Sequence, residues 1–301
     1  MSILSENSVT TQTMSYNIFD LFRDWTVGGA SGATGALVSQ PAYNWKLDMQ
    51  KGTKGSLNRR ALFGGSGAAM IGEWVTVASQ NALYAKSKTM SIPQTIAAPV
   101  AGAISAIPLS VCEMLMDFHR QNVMGWQLQS RSLPKTRPPS YWSTTSKIVK
   151  QHGARALFRG VRYTCLREAI NSMALNIWAE KISKKTQDHF SDHPMVSHLV
   201  GGSLSGVMAA ICSHPFDTMK VNSQNGIMVG YAHSKCFSAA RKRYEELFLG
   251  MPKRKAFVKT SAEVFKDLYK GLLPRSITST LFITGVYLSR PLFESALVKK
   301  E

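Results

Sequence analysis

Acidic residues are scarce in this chain, and cysteines scarcer. Its 301 residues hold 18 Asp or Glu against 36 Lys or Arg, a formal net charge of +18. The four cysteines, Cys112, Cys165, Cys212 and Cys236, stand far apart and no CxxC occurs. That pattern indicates neither a disulfide framework nor a zinc site, and it leaves the cysteines as small, weakly polar core residues. His119, His189, His193, His198 and His214 show no metal-ligand spacing, and there is no nucleophile elbow and no phosphate loop. No metal, no cofactor and no enzymatic chemistry is expected. Residues 1–20 contain no Lys or Arg and carry Glu6 and Asp20, unlike a secretory signal or an Arg-rich transit peptide. The mean hydropathy of −0.09 does not by itself announce a membrane protein.

What is present is an uneven distribution. Residues 25–45, 89–112 and 194–216 contain no Asp, Glu, Lys or Arg, in runs of 21 to 24 residues. As helix, each is long enough to cross a hydrocarbon core of roughly 30 Å. Shorter uncharged runs lie at 74–85, 169–179 and 276–289. Alone they are poor candidates for spans; paired with the longer ones they read as partner helices with polar residues toward an aqueous cavity. Buried helices of a soluble protein are the alternative. Long helices are expected near 20–50, 68–88, 93–122, 161–183, 194–224 and 272–296. Short amphipathic helices are expected around 140–151 and 260–267.

The excess charge is concentrated between these helices. Residues 51–65 hold four bases and no acid, 121–166 hold eight and no acid, and 225–271 hold ten against four acids. In a six-helix topology these three segments share one side of the membrane, which is the positive-inside pattern. A nucleic-acid-binding surface would explain the charge alone. No zinc-finger spacing, stacking motif or single basic recognition helix accompanies it, so no nucleic-acid partner is expected.

Three related units recur. The third reads Gly201-Gly202-Ser203-Leu204-Ser205-Gly206, then Pro215-Phe216-Asp217-Thr218-Met219-Lys220, then Leu268-Tyr269-Lys270-Gly271 and Pro274-Arg275. The first has Gly28-Gly29-Ala30-Ser31-Gly32, Pro41-Ala42-Tyr43-Asn44-Trp45-Lys46 and Leu62-Phe63-Gly64-Gly65. The second keeps Ala101-Gly102-Ala103, Glu113 with Met116, and Leu157-Phe158-Arg159-Gly160. A repeated unit sets the architecture. Small residues four apart let helix backbones approach closely in a membrane, and Pro41 and Pro215 are expected to kink their helices.

This triplicate pattern resembles the mitochondrial carrier family over nearly the whole chain. The resemblance implies an all-α membrane protein, with six transmembrane helices in three pseudo-repeats around a central cavity. It implies one domain over 1–301, with repeats near 18–92, 93–192 and 193–301. It also implies a monomeric, multi-pass transporter of the mitochondrial inner membrane, an antiporter that is not an enzyme. In the family, Pro-x-acid-x-x-base ends each odd helix and the acid of one helix pairs with the base of the next. Here the acid positions are Tyr43, Glu113 and Asp217, and the base positions are Lys46, Met116 and Lys220. Two gate bridges follow, Glu113 with Lys220 and Asp217 with Lys46; the third position pairs Tyr43 with Met116, neither of them charged. Gln50 and Gln224 sit where the family braces the bridges. Gly65, Arg159, Gly160, Lys270 and Gly271 fall where it holds the lipid cardiolipin, at helix starts suited to phosphate. The outer gate is poorly kept: Tyr84, Lys88 and Glu180 survive, and Pro291 replaces an acid. It is therefore expected to be weak.

The resemblance also places small-molecule substrate contacts at Gly72, Glu73, Arg167, Glu168, Thr278 and Ser279. An Arg-Glu pair suits an amino-acid-like zwitterion, the Arg taking a carboxylate and the Glu an ammonium. The surroundings, Ala69-Met70-Ile71-Gly72 and Cys165-Leu166-Arg167-Glu168, look like the S-adenosylmethionine carrier branch. Arg167 and Glu168 forming an internal salt bridge is the competing reading. Adenine nucleotide transport and an inactive, carrier-like scaffold remain the alternative functions.

Overall fold

The computed structural model describes residues 17–50, 62–63, 66–129, 140–191, 193–228, 245, 252–269 and 271–298. Among these the chain is helical and no strand occurs. Helix α1 spans Ile18–Gln50, α2 Ser66–Thr89 and α3 Gln94–Gln129. A short helix α4 (Tyr141–His152) and a tight 3-10 turn (Ala154–Phe158) precede α5 (Val161–Met173). A π-turn at Ala174–Trp178 carries α5 on into α6 (Ala179–Gln187). Helix α7 spans Pro194–Met228, α8 Lys253–Leu268 and α9 Leu272–Val298.

The long helices close into a ring. Helix α1 packs on α2 and α9, α2 on α3, α3 on α5, α5 and α6 on α7, and α7 on α9. The packing face is made of small residues. On α3, Ala98, Ala101 and Ser105 are buried while Ile96, Val100, Ile104 and Ile107 are exposed. On α7, Ser205, Ala209 and Ser213 are buried while Leu204, Val207, Met208 and Ile211 are exposed. Large apolar side chains outside and small ones inside is the reverse of a soluble helix, and it suits a ring whose outer surface meets lipid. By length and composition, the segments Gln94–Leu115 and Met195–Val221 are apolar enough to cross a membrane.

Threefold pseudo-symmetry shows in the closest backbone approaches. A Cβ on Gly32 of α1 would stand 2.8 Å from the Glu73 carbonyl oxygen of α2. One on Gly102 of α3 would stand 2.3 Å from that of Glu168 on α5, and one on Gly206 of α7 would stand 2.9 Å from that of Ser279 on α9. Helices α1, α3 and α7 thus each use a glycine to press against the same register position of their partners α2, α5 and α9. Positions 73, 168 and 279 are brought to one level by this contact.

Two expectations are adjusted. Helix α8 begins at Lys253, seven residues before the anticipated start, because Pro252 pre-sets the first turn and Ala256 and Thr260, one turn apart, are both buried. Helix α4 matches its expected place; Ser140 caps it, exchanging hydrogen bonds with Ser143 in a capping box. The cysteines are not core residues: Cys112 and Cys165 are half-buried, Cys212 is exposed, and all three are free. Cys236 lies outside the described residues.

Candidate functional site

The ring encloses a cavity of about 60 Å³ above the loop-facing ends of α1, α3 and α7. Its floor is ionic. Lys46 Nζ on α1 donates to Asp217 Oδ2 on α7 at 2.9 Å, and Lys220 on α7 donates to Glu113 Oε2 on α3. Arg167, from α5, enters between them: Nη1 donates to Asp217 Oδ1 at 3.2 Å and Nη2 to Glu113 Oε1 at 2.8 Å. Its Nε donates to Glu168 Oε1 at 2.7 Å, and Asn171 Nδ2 donates to the same oxygen at 3.0 Å. The result is an alternating chain, Lys46–Asp217–Arg167–Glu113–Lys220, that crosses four helices. All five side chains are buried, and Arg167, Lys46 and Lys220 rank among the largest fully buried side chains described. Burial at that depth is tolerable because each charge meets an opposite one.

Tyr43 occupies the acid position on α1 and turns its ring face to Lys46, whose Nζ lies 4.6 Å from the ring centroid. Lys46 thus makes a cation–π contact in addition to its ion pair with Asp217. The side chains of Met116, Gln50 and Gln224 lie outside the described residues, so the third gate position and the bracing glutamines have no geometry to report.

The predicted substrate residues separate into two groups. Glu73, Arg167, Glu168, Thr278 and Ser279 all line the cavity. Arg167 was read as the ligand of a substrate carboxylate; in the structure its guanidinium is engaged by three protein carboxylates, as the internal-bridge alternative required. Gly72 faces away from the cavity: a Cβ there would meet Cys112 and Leu109 of α3 at 3.5 and 3.6 Å. Gly72, without a side chain, stays against α3, while the adjacent Glu73 lines the cavity. The Thr278 hydroxyl bonds back to the Pro274 carbonyl at 2.7 Å.

Sequence reading missed Arg275, Gln40 and Asn171, which also line the cavity. Arg275 is buried and places Nη2 3.4 Å from Ser213 Oγ, while its Nε has no partner. The signal was available: Arg275 lies three and four residues before Thr278 and Ser279, so the three share a helix face. Among the described residues no ion pair reaches Glu73. The cavity and its floor therefore hold four cations, Lys46, Arg167, Lys220 and Arg275, against four carboxylates, Glu73, Glu113, Glu168 and Asp217.

Of the lipid positions, Gly160 and Gly271 adopt the left-handed backbone, with φ of 88° and 86°, at the starts of α5 and α9. Glycine is the residue that takes this conformation without strain. Arg159 directly precedes Gly160. Gly65 and Lys270 lie outside the described residues.

The sequence model of the mitochondrial carrier protein family matches residues 91–190 and 191–289. The chain belongs to the mitochondrial carrier family. Members of this family are transporters and not enzymes. The chain is 25% identical over 230 residues to a succinate/fumarate mitochondrial transporter of Saccharomyces cerevisiae, covering 71% of this chain and 66% of that one. It is 24% identical over 278 residues to the mitochondrial arginine transporter BAC2 of Arabidopsis thaliana, covering 80% and 87%. A solute carrier protein of Fusarium pseudograminearum is 26% identical over 185 residues, 60% of each chain.

Proposed function

We propose that this carrier moves S-adenosylmethionine or a related amino-acid-like zwitterion across the mitochondrial inner membrane by alternating access, as a monomer. The observation that supports this reading is the charge balance of the cavity. Four cations against four carboxylates leave no surplus positive charge for a polyanion such as ATP. Two groups in that balance remain under-used. Glu73 has no ion-pair partner among the described residues and suits a substrate cation; Arg275 keeps an unpartnered buried Nε and suits a substrate carboxylate. Charge-assisted hydrogen bonds of this kind are the strong ones, and unpaired charges on a transmembrane path tend to mark substrate routes. The similarity to an arginine transporter, whose substrate is a cationic amino acid, is compatible with this class. Succinate and fumarate, named for the yeast relative, are dicarboxylates, which a carboxylate-lined, neutral cavity favours less.

Further proposals accompany this one. The network of Lys46, Glu113, Asp217 and Lys220 acts as the matrix gate. Residues 18–92, 93–192 and 193–301 act as three repeats of a single domain over 1–301. The starts of α2, α5 and α9, at Gly65, Arg159, Gly160, Lys270 and Gly271, bind cardiolipin head groups. The test is competition in reconstituted liposomes. Uptake should be inhibited by S-adenosylmethionine or basic amino acids and spared by ATP. Uptake blocked by ATP and indifferent to the zwitterions supports adenine nucleotide transport instead, and no uptake of any of these solutes supports a scaffold.

A further inference from the structure

Two gate pairs without a third would be independent. Lys46–Asp217 joins α1 to α7, and Glu113–Lys220 joins α3 to α7, but they share no atom. Arg167 supplies the connection. Its two terminal nitrogens reach one carboxylate of each pair, while Nε is held by Glu168 and so fixes the plane of the guanidinium. A planar, forked donor spans two carboxylates in a fixed geometry, which the compact ammonium of a lysine does not reproduce. With Tyr43 in an acid position on α1, the ring of charges has no acid there to close it. Arg167 comes instead from α5, which carries no copy of that motif.

We infer that Arg167 is a positioning residue that couples the two gate pairs into one unit, so that they break together. The inference rests on reading this network as the gate. It also moves substrate recognition away from Arg167 and onto Glu73 and Arg275.

The experiment is a thermal-unfolding cycle on the full-length chain purified in detergent. Lys46→Gln, Lys220→Gln and the double variant are compared in three backgrounds: wild type, Arg167→Lys and Arg167→Gln. In the wild-type background the double variant's shift should depart from the sum of the single shifts by about 2–4 °C, the size expected for residues sharing one network. In the Arg167→Lys background the departure should fall below half of that value. Direct repulsion between Lys46 and Lys220 survives Arg167→Lys, which keeps the charge, so the drop reports the fork rather than the charge. Arg167→Gln serves in its place if the Lys variant shows no cooperative transition. Additive shifts in the wild-type background, or the same departure in every background, overturn the inference. Uptake assays fail separately: loss of coupling with zwitterion uptake intact sinks only the link, and intact coupling with no uptake sinks only the transport reading.

Discussion

At the loop end of the ring, charges pair across helices; at the other end, the pairs Glu180–Lys184 and Arg290–Glu294 each stay within one helix. Lys46, Asp217, Arg167, Glu113 and Lys220 come from α1, α7, α5 and α3 and are buried. At the far end, Glu180 pairs with Lys184 and Arg290 with Glu294, both one turn apart and exposed. Lys88 lies over the ring of Tyr84 on its own helix, 4.6 Å from the centroid. The difference is mechanical as well as energetic. A pair that crosses helices resists their separation, and a pair within one helix does not. The helices of this carrier are therefore tied to one another at the loop end.

The largest effect should come from breaking that end. Asp217→Ala leaves Lys46 and Arg167 buried with a shared partner missing. Removing one member of a buried pair costs about 3–5 kcal/mol, so Asp217→Ala should lower stability by that order and abolish uptake. Lys46→Ala should act similarly. The double variant should lose less than the sum, because the pair is lost only once. Strictly additive losses in thermal unfolding would show that the two side chains do not stabilise each other.

A smaller effect is expected between the two ends, in the cavity. Glu73→Gln keeps the shape and a hydrogen-bonding group but removes the carboxylate. A hydrogen bond to a charged group contributes about 1.5–3 kcal/mol, so uptake of a cationic zwitterion should fall roughly tenfold or more at low substrate concentration. Stability should change little, since no ion pair of the protein is lost. A variant that takes up substrate as well as wild type would remove Glu73 from the site.

Much of this arrangement was legible before the structure. Both gate pairs follow from residue types at Lys46, Glu113, Asp217 and Lys220, because a fixed motif at the same point of three repeats fixes their depth. The glycine contacts at Gly32 and Gly206 follow from small-residue spacing. Arg167 was not legible in the same way. Its number along α5 placed it in the cavity, but a long side chain reaches more than one partner, and the choice depends on where three other helices stand. Gly72 is not among the cavity-lining residues for a local reason: it faces Cys112 and Leu109 of α3 and has no side chain to reach past them. Arg275 was overlooked because it precedes the expected contact positions by one turn, although the same helix geometry puts it on their face.

The smallest effect should be found at the far end. Arg290 and Glu294 are an exposed pair one turn apart on α9, 3.0 Å between Nε and Oε1. Such pairs contribute about 0.3–0.5 kcal/mol on a helix surface. Glu294→Gln should therefore move the unfolding transition by about 1–2 °C at most. Salt separates the two ends further. At about 1 M ionic strength the Debye length falls to about 3 Å, which screens exposed charges but scarcely reaches buried ones. The Glu294→Gln shift should then vanish, while the Asp217→Ala loss persists. If high salt instead erased the Asp217 effect, the loop-end network would be open to water, and the contrast between a buried, helix-crossing gate and a solvated, helix-local rim would collapse.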